Sequence, residues 1–283
     1  MDNLKAKKRH PEEIAVYSAI YVCAAFSVLL LLGIIVYVFA KGARRVNWAF
    51  LTGVTSILHG TVGIAGNILN TLIIILLTMI ITTPIGVGAA IYLNEYAKPG
   101  KLVTVIIFAT ETLAGIPSII FGLFGMLFFG QLCHMGYSLL TGSLTLTLMV
   151  LSLVTRNTQE ALKTVPDSFR TGAVGLGAGK WYTIRTILLP SAMPGIVTGV
   201  ILAIGRIIGE SAALLFTAGS AHLLPKTFDA FLEKIFHSGG TLTIQLYLSA
   251  SKGEFEVAFG ILLVIVLLIN FGTKRLAKKL EKH

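Results

Sequence analysis

Long apolar runs separated by short polar stretches set the pattern of this chain. Six runs, at 14–40, 67–93, 102–130, 139–157, 192–218 and 255–273, approach or exceed the ~20 residues with which a helix crosses bilayer hydrocarbon. The pattern therefore predicts an all-α, polytopic membrane protein with six transmembrane helices. The first run is too long for the apolar core of a signal peptide, about 7–15 residues, and reads as an uncleaved span. Three regions follow: 1–66 with the first span and an external loop, a core of five helices at 67–273, and a basic tail at 274–283.

Proline marks two of the core spans. Pro84 in the second and Pro117 in the third each remove a backbone donor, so each span is expected to kink there. Glu111 sits near the cytoplasmic end of the third span, where a hydrogen-bonding role and a gating role are both open. The external segment 41–66 is rich in Gly and Thr, with Trp48 as an interface anchor. The segment 219–254 spaces Phe228, Phe231, Leu232, Ile235 and Phe236 for one face of a short helix.

The segment 158–191 is too polar for lipid and reads as helix, turn, helix. Pro166 suits a first helical position and Asp167 favours the positive end of the dipole. Gly175, Gly177 and Gly179 interrupt the pattern, which resumes from Trp181 to Leu189 and stops at Pro190. A short helix projecting from the membrane suits the groove of a partner, although a plain connection has the same pattern. The string GLGAGK is not a phosphate-binding loop. That motif needs Gly at 174 and Ser or Thr at 181, where this chain has Val174 and Trp181.

The fifth span carries Arg206 and Glu210. On a continuous helix both share a face with Gly195, Gly199 and Leu202, while Val197, Val200, Ile201, Ile204 and Ile208 look towards lipid. Four residues apart, the two charges are within pairing reach. A central Arg costs ~2.5–3.5 kcal/mol even on the lenient insertion scale, so it turns to protein or to a watery path. An ion pair locking helices and a cationic element on an anion route both fit. The guanidinium fork matches phosphate, and sulfate answers to the same charge.

Composition agrees with the pattern: 55% of residues are hydrophobic, 13% are charged, and the mean hydropathy is +0.84. The net charge of +10 resides in clusters beside the spans, without the aromatic interleaving of a nucleic-acid surface. With the amino terminus inside, sixteen Lys and Arg fall on the inner side and six on the outer, with Arg206 within a span. Both termini and the loop 158–191 are then cytoplasmic. Cys23 and Cys133 read as packing residues. The six histidines are scattered without metal-ligand spacing.

The polar segment resembles the EAA loop of ABC-importer permeases: E-A-A, three residues, G, then a hydrophobic stretch ending I-x-L-P. Ala173, Gly177, Ile187, Leu189 and Pro190 fall at matching positions, while Thr171 and Gly172 replace the Glu and the first Ala. The resemblance implies the type I importer (MetI-like) permease fold. It also implies a coupling helix, including Ala178 beside Gly177, inserted into a cytoplasmic ATPase. The strings AIGRIIGESAALLFTAG at 203–219 and LAGIPSIIFGLFG at 113–125 are similar to the PstA permease family of bacterial phosphate importers.

That similarity implies a multi-pass protein of a bacterial cytoplasmic membrane, with Arg206, Glu210 and Glu111 along the path. It implies a homologous permease (PstC), two copies of an ATPase (PstB) and an external phosphate-binding protein (PstS). The same similarity implies that ATP and Mg belong to the ATPase and that this chain binds no cofactor and is no enzyme. Another oxyanion, molybdate or sulfate, is the nearest alternative cargo. An ATPase-independent secondary transporter would show an inverted repeat or more ionisable groups at mid-membrane.

Overall fold

The computed structural model describes residues 11–56, 61–98, 100–225 and 227–280. Lys5, Lys7, Lys8, Arg9, Lys226 and Lys282, which enter the charge bias, lie outside them. The first helix, α1 (Pro11–Gly42), is exposed along most of its length. It is followed by α2 (Trp48–Thr52), capped where Asn47 accepts from Phe50 N–H at 2.8 Å, and by an antiparallel ribbon of β1 (Val54–Ser56) and β2 (Thr61–Ile64). The sequence pattern predicted only a loop here. The second span is α3 (Ala65–Ile91), prolonged by a π-helical turn at Tyr92–Tyr96, and it runs on through Pro84.

The third span is not one kinked helix. It divides into α4 (Lys101–Gly115) and α5 (Ser118–Gly125), the latter prolonged by a π-helical stretch at Met126–Leu132, and the two halves meet at 102°. Proline pushes its preceding residue out of the α region. Ile116 accordingly lies at φ −73°, ψ 130°, and Pro117 itself is extended, so the chain breaks rather than bends.

Helix α6 (Leu139–Lys163) occupies the centre. Beyond it come α7 (Asp167–Gly175) and α8 (Lys180–Thr183). A π-helical stretch at Ile184–Leu188 leads into α9 (Leu189–Gly209). The helical run from Lys180 to Gly209 thus continues through Pro190 instead of stopping there. The π turn, with Leu189 N–H donating to Ile184 O, absorbs the ladder bond that Pro190 cannot make. The remaining helices are α10 (Ala212–Thr217), α11 (Phe228–Glu233) with a 3₁₀ turn at Lys234–Phe236, α12 (Leu242–Ser251) and α13 (Phe255–Leu280). Among the described residues five helices are long and apolar enough to span a bilayer, or six if the bent pair is one span.

Small residues decide the packing. A Cβ at Gly86 would stand 2.9 Å from Val154, and Thr78 donates to Ser143 O at 3.4 Å, so α3 runs parallel to α6. A Cβ at Gly195 would meet Ala161 and one at Gly199 would meet Asn157, each at 2.6 Å, so α9 runs antiparallel to it. Leu146, Met149, Val150 and Val154 of α6 fill the core with Ile74, Ala203 and Ile207. The end of α1 rests on the start of α13, with Tyr37 edge-on to Phe259 at 5.2 Å.

Candidate functional site

A cleft of about 250 Å³ opens between α4, α6 and α9. Helix α6 sets one wall. Buried Ser152 and, beyond it, Arg156, Gln159, Glu160 and Lys163 recur at helical spacing on the side that lines the cleft, while Met149, Val150 and Val154 are buried in the core. Helix α4 contributes Thr110 and Glu111. Helix α9 contributes Arg206, next to its buried stripe of Ala192, Ile196, Gly199, Ala203 and Ile207. The glycine contacts with α6 bring Arg206 to the rim of the cleft.

The charges are unevenly paired. Lys163 lies 3.5 Å from Glu160, an exposed pair that adds little rigidity. Arg156, Arg206 and Glu111 form no ion pair or side-chain hydrogen bond among the described residues. Two guanidinium groups and one carboxylate therefore face a solvent-open space with their donors and acceptors free.

Glu210 is not part of this group. Helix α9 ends at Gly209 and Glu210 is extended at φ −82°, ψ 123°. Its carboxylate accepts from Ala213 N–H at 2.9 Å, capping α10, and its carbonyl accepts from the Thr243 hydroxyl at 2.9 Å. The expected Arg206–Glu210 pair required an unbroken helix, and the break at 210–211 removes it. The β-branched face of the span also differs from expectation: Ile201, Ile204 and Ile208 look across an apolar cavity towards Leu268 and Ile269 of α13. Arg156 and Lys163 were counted in the sequence only as topology charges. Their signal was the spacing from Ser152 to Lys163 on one face.

The EAA-like residues stand apart from the cleft. Thr171 and Gly172 are exposed on α7 and Ala173 is its one buried residue. Gly177, at φ +81°, turns the chain in the left-handed region that favours glycine, and Ala178 N–H closes the turn on Ala173 O at 3.0 Å. Leu176 at this tip is 91% exposed, flanked by exposed Val174, Trp181 and Tyr182. Leu189 is half-buried at the start of α9, and Pro190 beside it is exposed.

Sequence reasoning passed over Arg170. Its guanidinium donates to Glu95 at 2.9 Å, to Asp167 at 3.0 Å, and to the carbonyls of Leu162 and Val165 at 3.0 Å each. The hydrogen bond to Glu95 raises its already high pKa. Glu95 lies in the π turn that prolongs α3, and Arg170 is 75 residues further along the chain, beyond the reach of any local pattern.

A bundle with one sharply broken span, a projecting polar loop and a charged cleft has the form of a transport permease. Residues 82–283 match the model of the binding-protein-dependent transport system inner membrane component, and the chain belongs to that family. It is 34% identical over 273 residues to the probable ABC transporter permease protein YqgI of Bacillus subtilis, covering 92% of this chain and 93% of the relative. It is 34% identical to the phosphate transport system permease protein PstA of Xylella fastidiosa, covering 84% and 82%. In fold it resembles a chain of the bacterial alginate ABC transporter, with a TM-score of 0.67 at 15% identity, covering 94% and 96%. The protein is thus a multi-pass membrane permease subunit rather than an enzyme, and works with an ATPase and a binding protein.

Proposed function

We propose that this permease carries inorganic phosphate into the cell, driven by ATP hydrolysed in a partner. The observation that carries the reading is the pair of unpaired guanidinium groups, Arg156 and Arg206, on one cleft. Forked donors of this kind suit a tetrahedral oxyanion. Relatives named as phosphate transport permeases support the choice of cargo.

A second, homologous permease (PstC) completes the path, two ATPase copies (PstB) bind ATP and Mg, and an external protein (PstS) delivers phosphate. Both termini and the loop of α7 are cytoplasmic, in keeping with the distribution of Lys and Arg. ATP binding closes the ATPase pair, α7 receives that motion, and the cleft alternates between the two sides. Arg156 and Arg206 draw the anion in. Glu111, on the facing wall, keeps the well shallow enough for release. Glu210 instead holds the break between α9 and α10.

The test is uptake of labelled phosphate by the complex reconstituted in proteoliposomes. ATP-dependent uptake, displaced by arsenate but not by molybdate or sulfate, is expected. Stronger displacement by sulfate or molybdate assigns the cleft to another oxyanion. Uptake that persists without ATP rejects the driven mechanism.

A further inference from the structure

The attachment of α7 to the bundle is narrow. Ala173 is the one residue of α7 that is buried, and α7 joins α6 through the short connection Thr164–Pro166. Across that joint a single side chain, Arg170, gathers three elements. It donates to the carbonyl of Leu162 in the last turn of α6 and to that of Val165 in the connection that follows, at the negative end of the helix dipole. It pairs with Asp167 in the first turn of α7. It also grips Glu95 at the end of α3, a carboxylate only 9% exposed that Asn94 holds in place at 2.8 Å. Next to it, the Lys180 ammonium stands 4.8 Å above the Tyr96 ring, a second tie between the loop and the same turn of α3.

Across the cleft from α6, α4 has no buried residue. From this arrangement we propose that Arg170 and Glu95 form a mechanical joint, which makes α7 move as one body with α3 and α6 against α4. They are positioning residues and touch no cargo. The proposal rests on the reading of α7 as the element that receives motion from the ATPase.

The experiment uses the whole reconstituted importer carrying Glu95→Gln, Arg170→Gln, or the swap Glu95→Arg with Arg170→Glu. Phosphate moved per ATP hydrolysed is read per assembled complex, so poor yield does not imitate the effect. In each single variant the ratio is expected to fall about five-fold or more, the scale of a coupling free energy near 1 kcal/mol, while ATP hydrolysis continues. The swap is expected to recover part of it. An unchanged ratio, or uptake and hydrolysis that fall by one common factor, overturns the joint.

A second readout does not depend on the cargo. With Cys23 and Cys133 replaced by Ser, spin labels are placed at exposed Tyr92 and Leu176 through Tyr92→Cys and Leu176→Cys. Their separation is expected to stay the same between nucleotide-free and ATP-trapped complexes, and to change on trapping once Glu95→Gln is added. A wild-type separation that changes on trapping rejects the one-body motion. Failure of phosphate transport with a constant separation rejects the cargo and leaves the joint standing.

Discussion

At the residue scale, Arg156 and Arg206 share one cleft, so their effects on transport are coupled. Each replacement by Gln removes charge-assisted hydrogen bonds, worth about 1.5–3 kcal/mol where made. Uptake is therefore expected to fall at least about ten-fold for either one, and the double variant to lose less than the product of the two. A strictly multiplicative loss would place the two groups on separate steps. Lys234 gives a second residue-level prediction. It is buried in the segment after α11, donates to Leu223 O, and burial lowers its pKa. With the folded pKa below the unfolded one, the unfolded chain binds the proton more tightly. The resulting penalty is full below the folded pKa and fades as pH rises towards the unfolded value. Lys234→Met is expected to raise the melting temperature at neutral pH and to flatten the gain at alkaline pH, as measured on purified complex by thermal unfolding. The sequence revealed Arg206 because charge inside an apolar run is expensive. Arg156 escaped because a charge near a span end serves topology equally well. Glu210 misled because the break that removes it from the helix is held by Thr243, 33 residues away.

Among the elements, glycines fix how closely the helices approach. A Cβ at Gly122 of α5 would stand 2.7 Å from the backbone of Ala213 in α10, which has no flexible side chain to yield. Gly122→Val is expected to cost about 1–3 kcal/mol by overpacking, seen as a lower melting temperature. Gly205→Ala, with no heavy atom within 4 Å of its Cβ, is expected to be neutral or slightly stabilising. If the two changes proved equally harmful, the close approach of α5 and α10 would be wrong. Spans were legible because hydrocarbon thickness imposes a length on them. The division at Pro117 was half legible: the proline was visible, but a kink and a 102° break share one local sequence. The ribbon β1–β2 and the buried α12 were not legible. Both are short, and they take their shape from neighbours distant in sequence, as where Asn67 and Asn70 donate to Gly240 O at 3.0 Å.

Across the whole molecule, α3, α6 and α9 form a glycine-packed body that presents two free guanidinium groups to a cleft, and α7 is fastened to that body by Arg170. The loop at one end and the charged wall of the cleft are thus fastened to the same body. The class of protein was legible from span pattern and motif spacing together, because both are written in the order of residues along the chain. The joint was not, because Arg170 and Glu95 meet only after α3 and α6 pack side by side. The central claim is that Arg206 acts on the anion rather than as the partner of Glu210. It is tested most directly by phosphate uptake and ATP hydrolysis measured together on the reconstituted importer with Arg206→Gln, Glu210→Gln and both. Arg206→Gln is expected to abolish most uptake while hydrolysis continues, and adding Glu210→Gln is expected to restore none of it. Recovery of uptake in the double variant would show that the two residues neutralise one another, and would contradict the account.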